Sequence, residues 1–160
     1  MDYQTLDNYR YAWFYKHQEM PVDDDDLLAI KPLAEKRANQ LWLQLISKNA
    51  NHPDLFAKDD WPEQQKTWVD SANWQVVWDK EDDFLPDEID EHIHWEMNTV
   101  VYFCYHSDHI VETTWEIFSK YWKNFLFLDN GPILIGKRRK EVIQFFEDGS
   151  FKIGFKPDTI

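Results

Sequence analysis

Four histidines are the first residues whose spacing could support chemistry. His92-x-His94 would put two imidazoles on one face of an extended segment, because side chains alternate along a strand. His106-x-x-His109 would put two within one turn of a helix start. Asp108 and Glu96 lie beside them as carboxylates. Three or four such groups, brought together, can hold zinc in tetrahedral geometry. Neither a paired C-x-x-C nor an H-E-x-x-H accompanies them. The acidic segment before His92 favours a helix, which would break the H-x-H geometry. The plainer expectation is surface histidines flanking a strand, with no metal ligand, catalytic residue or cofactor assigned.

Carboxylates are more abundant than imidazoles. Asp23 to Asp26 are contiguous, and no glycine precedes Gly131. An EF-hand loop needs alternating oxygen ligands and a central glycine, so these aspartates are read as helix caps. A second acidic run holds Glu81, Asp82, Asp83, Asp87, Glu88, Asp90 and Glu91. General acid–base work needs two carboxyls whose environments push their pKa values apart. This run lacks the apolar flanks for that and reads as an exposed ridge. Phe84, Leu85, Ile89 and Trp95 interleave with the acids. An apolar anchor inside a charged rim is how protein interfaces are often built. Asp82, Asp83, Asp87, Glu88 and Trp95 are therefore the candidate partner-binding residues. In the competing reading the apolar members face the protein's own core.

Cys104, the single cysteine, lies in the apolar run from Val100 to Tyr105. That run reads as a buried strand, where a thiol behaves as a small hydrophobe. A nucleophile would need an exposed thiolate and a base. Lys137 to Lys140 is a basic stretch that could grip phosphate or acids, although a solvated hairpin connection is the commoner role. No Walker loop, dinucleotide fingerprint or G-x-S-x-G elbow is present.

The elements that must position these residues follow from composition and period. The chain has 160 residues, which fits one domain over 1–160. Nine Trp, seven Tyr and eleven Phe dominate its apolar inventory. Net charge is −13, from 30 acidic and 17 basic residues. That sign repels nucleic acid and anionic membrane and favours association with a basic partner. The first twenty residues lack an apolar signal region, and no run is long enough to span a bilayer. With one thiol, these features point to the cytoplasm.

All four glycines lie after residue 130. A helical first half and a strand-rich C-terminal part are expected. Leu6 to His17 has helical spacing, as do Ala34, Ala38, Leu41 and Leu45, with Pro32 at a first turn. Asn73 to Trp78 alternates like a strand. Pro86 opens a short helix, Thr99 to Tyr105 is a central strand, and Ser107-Asp108 caps a helix reaching Lys123. Phe125–Leu128 with Pro132–Ile135 flank Asn130-Gly131, and Glu141–Glu147 with Phe151–Phe155 flank Asp148-Gly149. Both dipeptides are hairpin signals.

The stretch from Trp122 to Pro132, with Val142 to Phe146 and Asp148-Gly149, resembles a family of uncharacterised small acidic proteins of gammaproteobacteria. The strand-Asp-Asn-Gly-Pro-strand pattern is also similar to some acidic immunity-type proteins that neutralise bacterial toxins. The resemblance spans about the last forty residues and implies a fold without catalytic residues to carry over.

The expected fold is α+β, a helical N-terminal half packed on a mainly antiparallel C-terminal sheet ending in two hairpins. The expected function is a non-enzymatic cytoplasmic binding module, immunity-like or regulatory, whose acidic face meets a basic protein. Two alternatives stand beside it: a small metal-dependent hydrolase built on His92, His94, His106 and His109, and a structural subunit docking through exposed tryptophans.

Overall fold

The computed structural model describes residues 2–160. Seven strands form one sheet: β1 (Lys31–Pro32), β2 (Trp68–Asn73), β3 (Val100–His106), β4 (His109–Thr114), β5 (Ile133–Gly136), β6 (Glu141–Phe145) and β7 (Ser150–Phe155). The order across the sheet is β1-β4-β3-β5-β6-β7-β2, and every neighbouring pair is antiparallel. Five helices accompany it: α1 (Asp24–Leu27), α2 (Glu35–Leu45), α3 (Gln75–Trp78), α4 (Asp87–His92) and α5 (Trp115–Phe125). The expected α+β class and antiparallel sheet are present. The N-terminal half contributes both edge strands as well as helices.

The sheet is covered on both sides, which explains why its central strands read as unbroken apolar runs. Along β3, Val101, Phe103 and Tyr105 enter one core with Trp115, Phe118, Trp122 and Phe125 of α5. Tyr102 and Cys104 point the other way, into a second core with Ala38, Leu41 and Trp42 of α2. Period-2 alternation therefore divides one strand between two helical layers.

Several local expectations are corrected. Leu6 to His17 forms two 3₁₀ turns, Leu6–Asn8 and Ala12–Tyr15. Phe14 and Tyr15 are buried while Trp13 is exposed, so burial follows aromatic packing and not a helical stripe. Asp24 to Asp26 lie inside α1, and Asp23 at its N-cap makes no side-chain capping bond. Pro32 sits in edge strand β1, and α2 opens at Glu35. The segment read as a strand from Asn73 is β2 running into α3. Asn73 Oδ1 accepts from the Val76 amide at 3.1 Å and turns the chain.

The helix expected from Asp108 begins only at Trp115. Thr114 is its N-cap, its hydroxyl oxygen accepting from the Ile117 amide at 3.3 Å. Ser107-Asp108 is instead the tip of the β3–β4 hairpin, because Ile110 and Val111 are each needed by a different core. Phe125 ends α5, and the residues after it form turns, so Asn130-Gly131 leads into β5 without making a hairpin. Asp148-Gly149 does close the β6–β7 hairpin, with Gly149 at φ 90°.

Candidate functional site

The acidic run is displayed by a loop and a short helix on the α5 side of the sheet. Pro86 precedes α4, whose first turn carries Asp87, Glu88 and Asp90 at the positive end of the helix. Ile89 anchors α4 in the core, which leaves Asp87 outward and Glu88 partly so. The loop ahead is held from below by Lys123 of α5. Its buried ammonium donates to the Lys80 and Asp82 carbonyls at 2.8 and 2.7 Å. Asp82 and Asp83 are exposed as a result.

Trp95 is only 8% exposed and is not available as a docking anchor. It packs edge-on against Trp115 at 5.4 Å and donates weakly to Glu141 Oε1 at 3.4 Å. The competing expectation, that this aromatic serves the protein's own core, holds for it. The exposed apolar group is Phe84, 76% accessible, with Val76 at 64%. Both line a groove of about 360 Å³ with Asp82, Asp87 and Glu88.

The histidines divide into two groups. His92 shares a 2.9 Å hydrogen bond with the Gly154 carbonyl and packs on Phe155, while His94 is exposed. His106, Asp108 and His109 converge at the β3–β4 turn, one ligand atom from each lying within 4.8 Å of the others. The bulge between Cys104 and His106 lets His106 pair directly with His109, and their rings sit 4.3 Å apart. His106 Nδ1 and Asp108 Oδ1 share a 2.6 Å hydrogen bond. His109 Nδ1 is buried without a partner. Burial lowers both imidazoles below their ordinary value; the Asp108 bond partly offsets this at His106, and the neighbouring His106 adds to it at His109. His52, which sequence spacing could not connect to this pair, stacks on His106 at 5.5 Å. The Ser107 amide donates to the Asn51 carbonyl at 3.0 Å and ties the two loops together.

Cys104 is fully buried, and burial pushes its thiol well above the ordinary range, so it has no nucleophile's environment. Of the nine tryptophans, Trp13 is the exposed one, at 54%. Lys137 to Lys140 form the β5–β6 turn, at the mouth of a cleft of about 640 Å³ reached also by Arg37 of α2 and Lys156. Neither of those two residues is near the turn in sequence.

Among the described residues no helix is long and apolar enough to cross a membrane. The family model described as "Protein of unknown function (DUF2947)" matches residues 3–154. No curated protein and no solved structure matches the chain.

Proposed function

We propose that this chain, which belongs to the DUF2947 family of proteins of unknown function, is a non-enzymatic binding module whose acidic face takes a basic protein partner. The observation that carries the reading is Phe84, three-quarters exposed among Asp82, Asp83, Asp87 and Glu88. An exposed aromatic with a carboxylate rim offers a desolvatable anchor and a steering field together. A net charge of −13 extends that field beyond the groove. The buried Lys123 supports the loop from within, so the display is held by the fold. An immunity-like inhibitor in a bacterial cytoplasm is one concrete form.

The test is native mass spectrometry of the untagged protein from its own cells, followed by titration of the recovered partner. A basic protein is expected, bound strongly at low salt and weakly at high salt. Replacing Asp82, Asp83 and Asp87 with Asn and Glu88 with Gln should abolish that salt dependence and most of the affinity. Unchanged, salt-insensitive binding by this variant overturns the reading.

A second reading is favoured by a specific observation, the convergence of His106, Asp108 and His109. Two imidazoles and a carboxylate suit a first-row divalent metal such as zinc, with a position left open for water. Of the three residues His106 alone also lines a cavity of about 130 Å³, together with His52 and Tyr11. A metal-dependent hydrolase would then use His106 and His109, without His92 and His94. Stoichiometric zinc uptake, lost in His109→Gln, supports it; no uptake removes it.

A further inference from the structure

The cleft between α2 and the β5–β6 turn has a composition opposite to that of the whole molecule. Arg37, Lys137, Arg138, Arg139, Lys140 and Lys156 all line it, six of the chain's 17 basic residues. The chain carries 30 carboxylate side chains, yet none of these six cations makes an ion pair among the described residues. Only Glu141 and Asp158 bring negative charge to the lining, and Glu141 is engaged by the Trp95 indole. Six cations gathered against two carboxylates still repel one another, and an anion between them removes that cost.

We propose that this cleft binds a small polyanion, a phosphate-bearing ligand with an apolar or aromatic portion. The volume of about 640 Å³ falls in the range of small-molecule sites. Leu41, Leu45 and Tyr102 supply an apolar wall beneath the cations. Three arginines offer planar donor forks suited to phosphate oxygens. Burial lowers the Lys156 ammonium, partly offset by Asp158, so this cation sits in a partly dry environment where an anion is attracted more strongly.

An independent observation lies in the backbone. Arg138 is at φ 60°, the one non-glycine residue of the described chain with positive φ. Glycine would be the unstrained choice in such a turn. A long cationic side chain held there instead, at the rim of the cleft, marks a position where charge takes precedence over backbone comfort. The ligand is small because the net charge of −13 repels an extended polyanion such as nucleic acid, whereas a short one meets the local field.

The experiment is calorimetric titration of the full chain with inorganic pyrophosphate at low ionic strength, with methyl NMR of Leu41 and Leu45 in parallel. One-to-one binding that shifts both methyl groups is expected. Arg37→Gln with Arg139→Gln should weaken it at least about tenfold, while Lys48→Gln, outside the cleft, leaves it intact. If the double variant does not fold, Lys137→Gln with Lys140→Gln, both exposed, replaces it with the same expectation. Absence of pyrophosphate binding overturns the proposal. So does affinity unchanged in the cleft variant, or equal loss in Lys48→Gln, which would mean diffuse attraction only.

Discussion

Lys123 Nζ donates to the Asp82 carbonyl at 2.7 Å from inside the protein. One buried cation of α5 thus holds the backbone of the acidic loop, whose Asp82 and Asp83 side chains are exposed, with Asp83 Oδ1 still 3.9 Å from Lys123 Nζ. Lys123→Met should cost about 1.5–3 kcal/mol, the range for hydrogen bonds to a charged group. Amide exchange around Lys80 to Leu85 should rise before global unfolding. Unchanged exchange there would show that the loop holds itself.

Phe84 and Trp95 flank the same acidic segment and should behave oppositely. Trp95→Ala removes a buried ring and should destabilise by about 3–5 kcal/mol. Phe84→Ala removes an exposed one and should change stability by less than about 0.5 kcal/mol. Binding of the basic partner should fall in Phe84→Ala by at least about tenfold, the loss of a hot-spot anchor. Urea melts paired with titrations separate the two effects.

Asp26 links α1 to α5 through hydrogen bonds from the Tyr121 hydroxyl and from Lys120 Nζ, the latter at 3.0 Å. Hydrogen bonds from Tyr121 first and then Lys120 hold its carboxyl below the ordinary 3.8, against the opposing effect of burial. Asp23, 3.6 Å from Lys120, shares that cation. A carboxylate depressed in the folded state adds stability that is present above 3.8 and is lost as pH falls through the folded value. Melting temperature should therefore drop between about pH 5 and pH 2.5, and Asp26→Asn should flatten that limb. An identical acid limb in the variant would refute the linkage.

The histidine cluster gives a prediction about metal. Zinc should raise the melting temperature, by about 2.7 kcal/mol of stability at one hundred times its dissociation constant. His106→Gln and His109→Gln should each remove the effect, and His92→Gln should not. Differential scanning fluorimetry with zinc, against magnesium, reads this directly.

Arg138→Gly should separate stability from binding. Relief of the left-handed backbone, less the extra freedom of glycine in the unfolded chain, should stabilise by about 0.5–1 kcal/mol. Pyrophosphate affinity should fall at the same time. A variant that gains neither stability nor loses affinity would leave the turn without either role.

The sequence alone determined what short-range rules control. Helical period placed Ala38 and Leu41 of α2 in a core, apolar content identified β3 as a central strand, Pro86 opened α4, and Asp148-Gly149 closed a hairpin. It also established a net charge of −13. These depend on residue type and on spacing of a few positions, so they survive without knowledge of neighbours. The tertiary structure decided which distant residues meet. His52 reaches His106, and Arg37 comes to line one cleft with the 137–140 turn, only because non-local packing brings their elements together. It also decided that Trp95 is buried while Phe84 is exposed, since both lie in one acidic stretch of similar polarity. The Asp108 turn shows the limit most clearly. Its side chain would serve a helix cap as well as a hairpin tip, and the competition was settled by two cores that each claim a residue of β4.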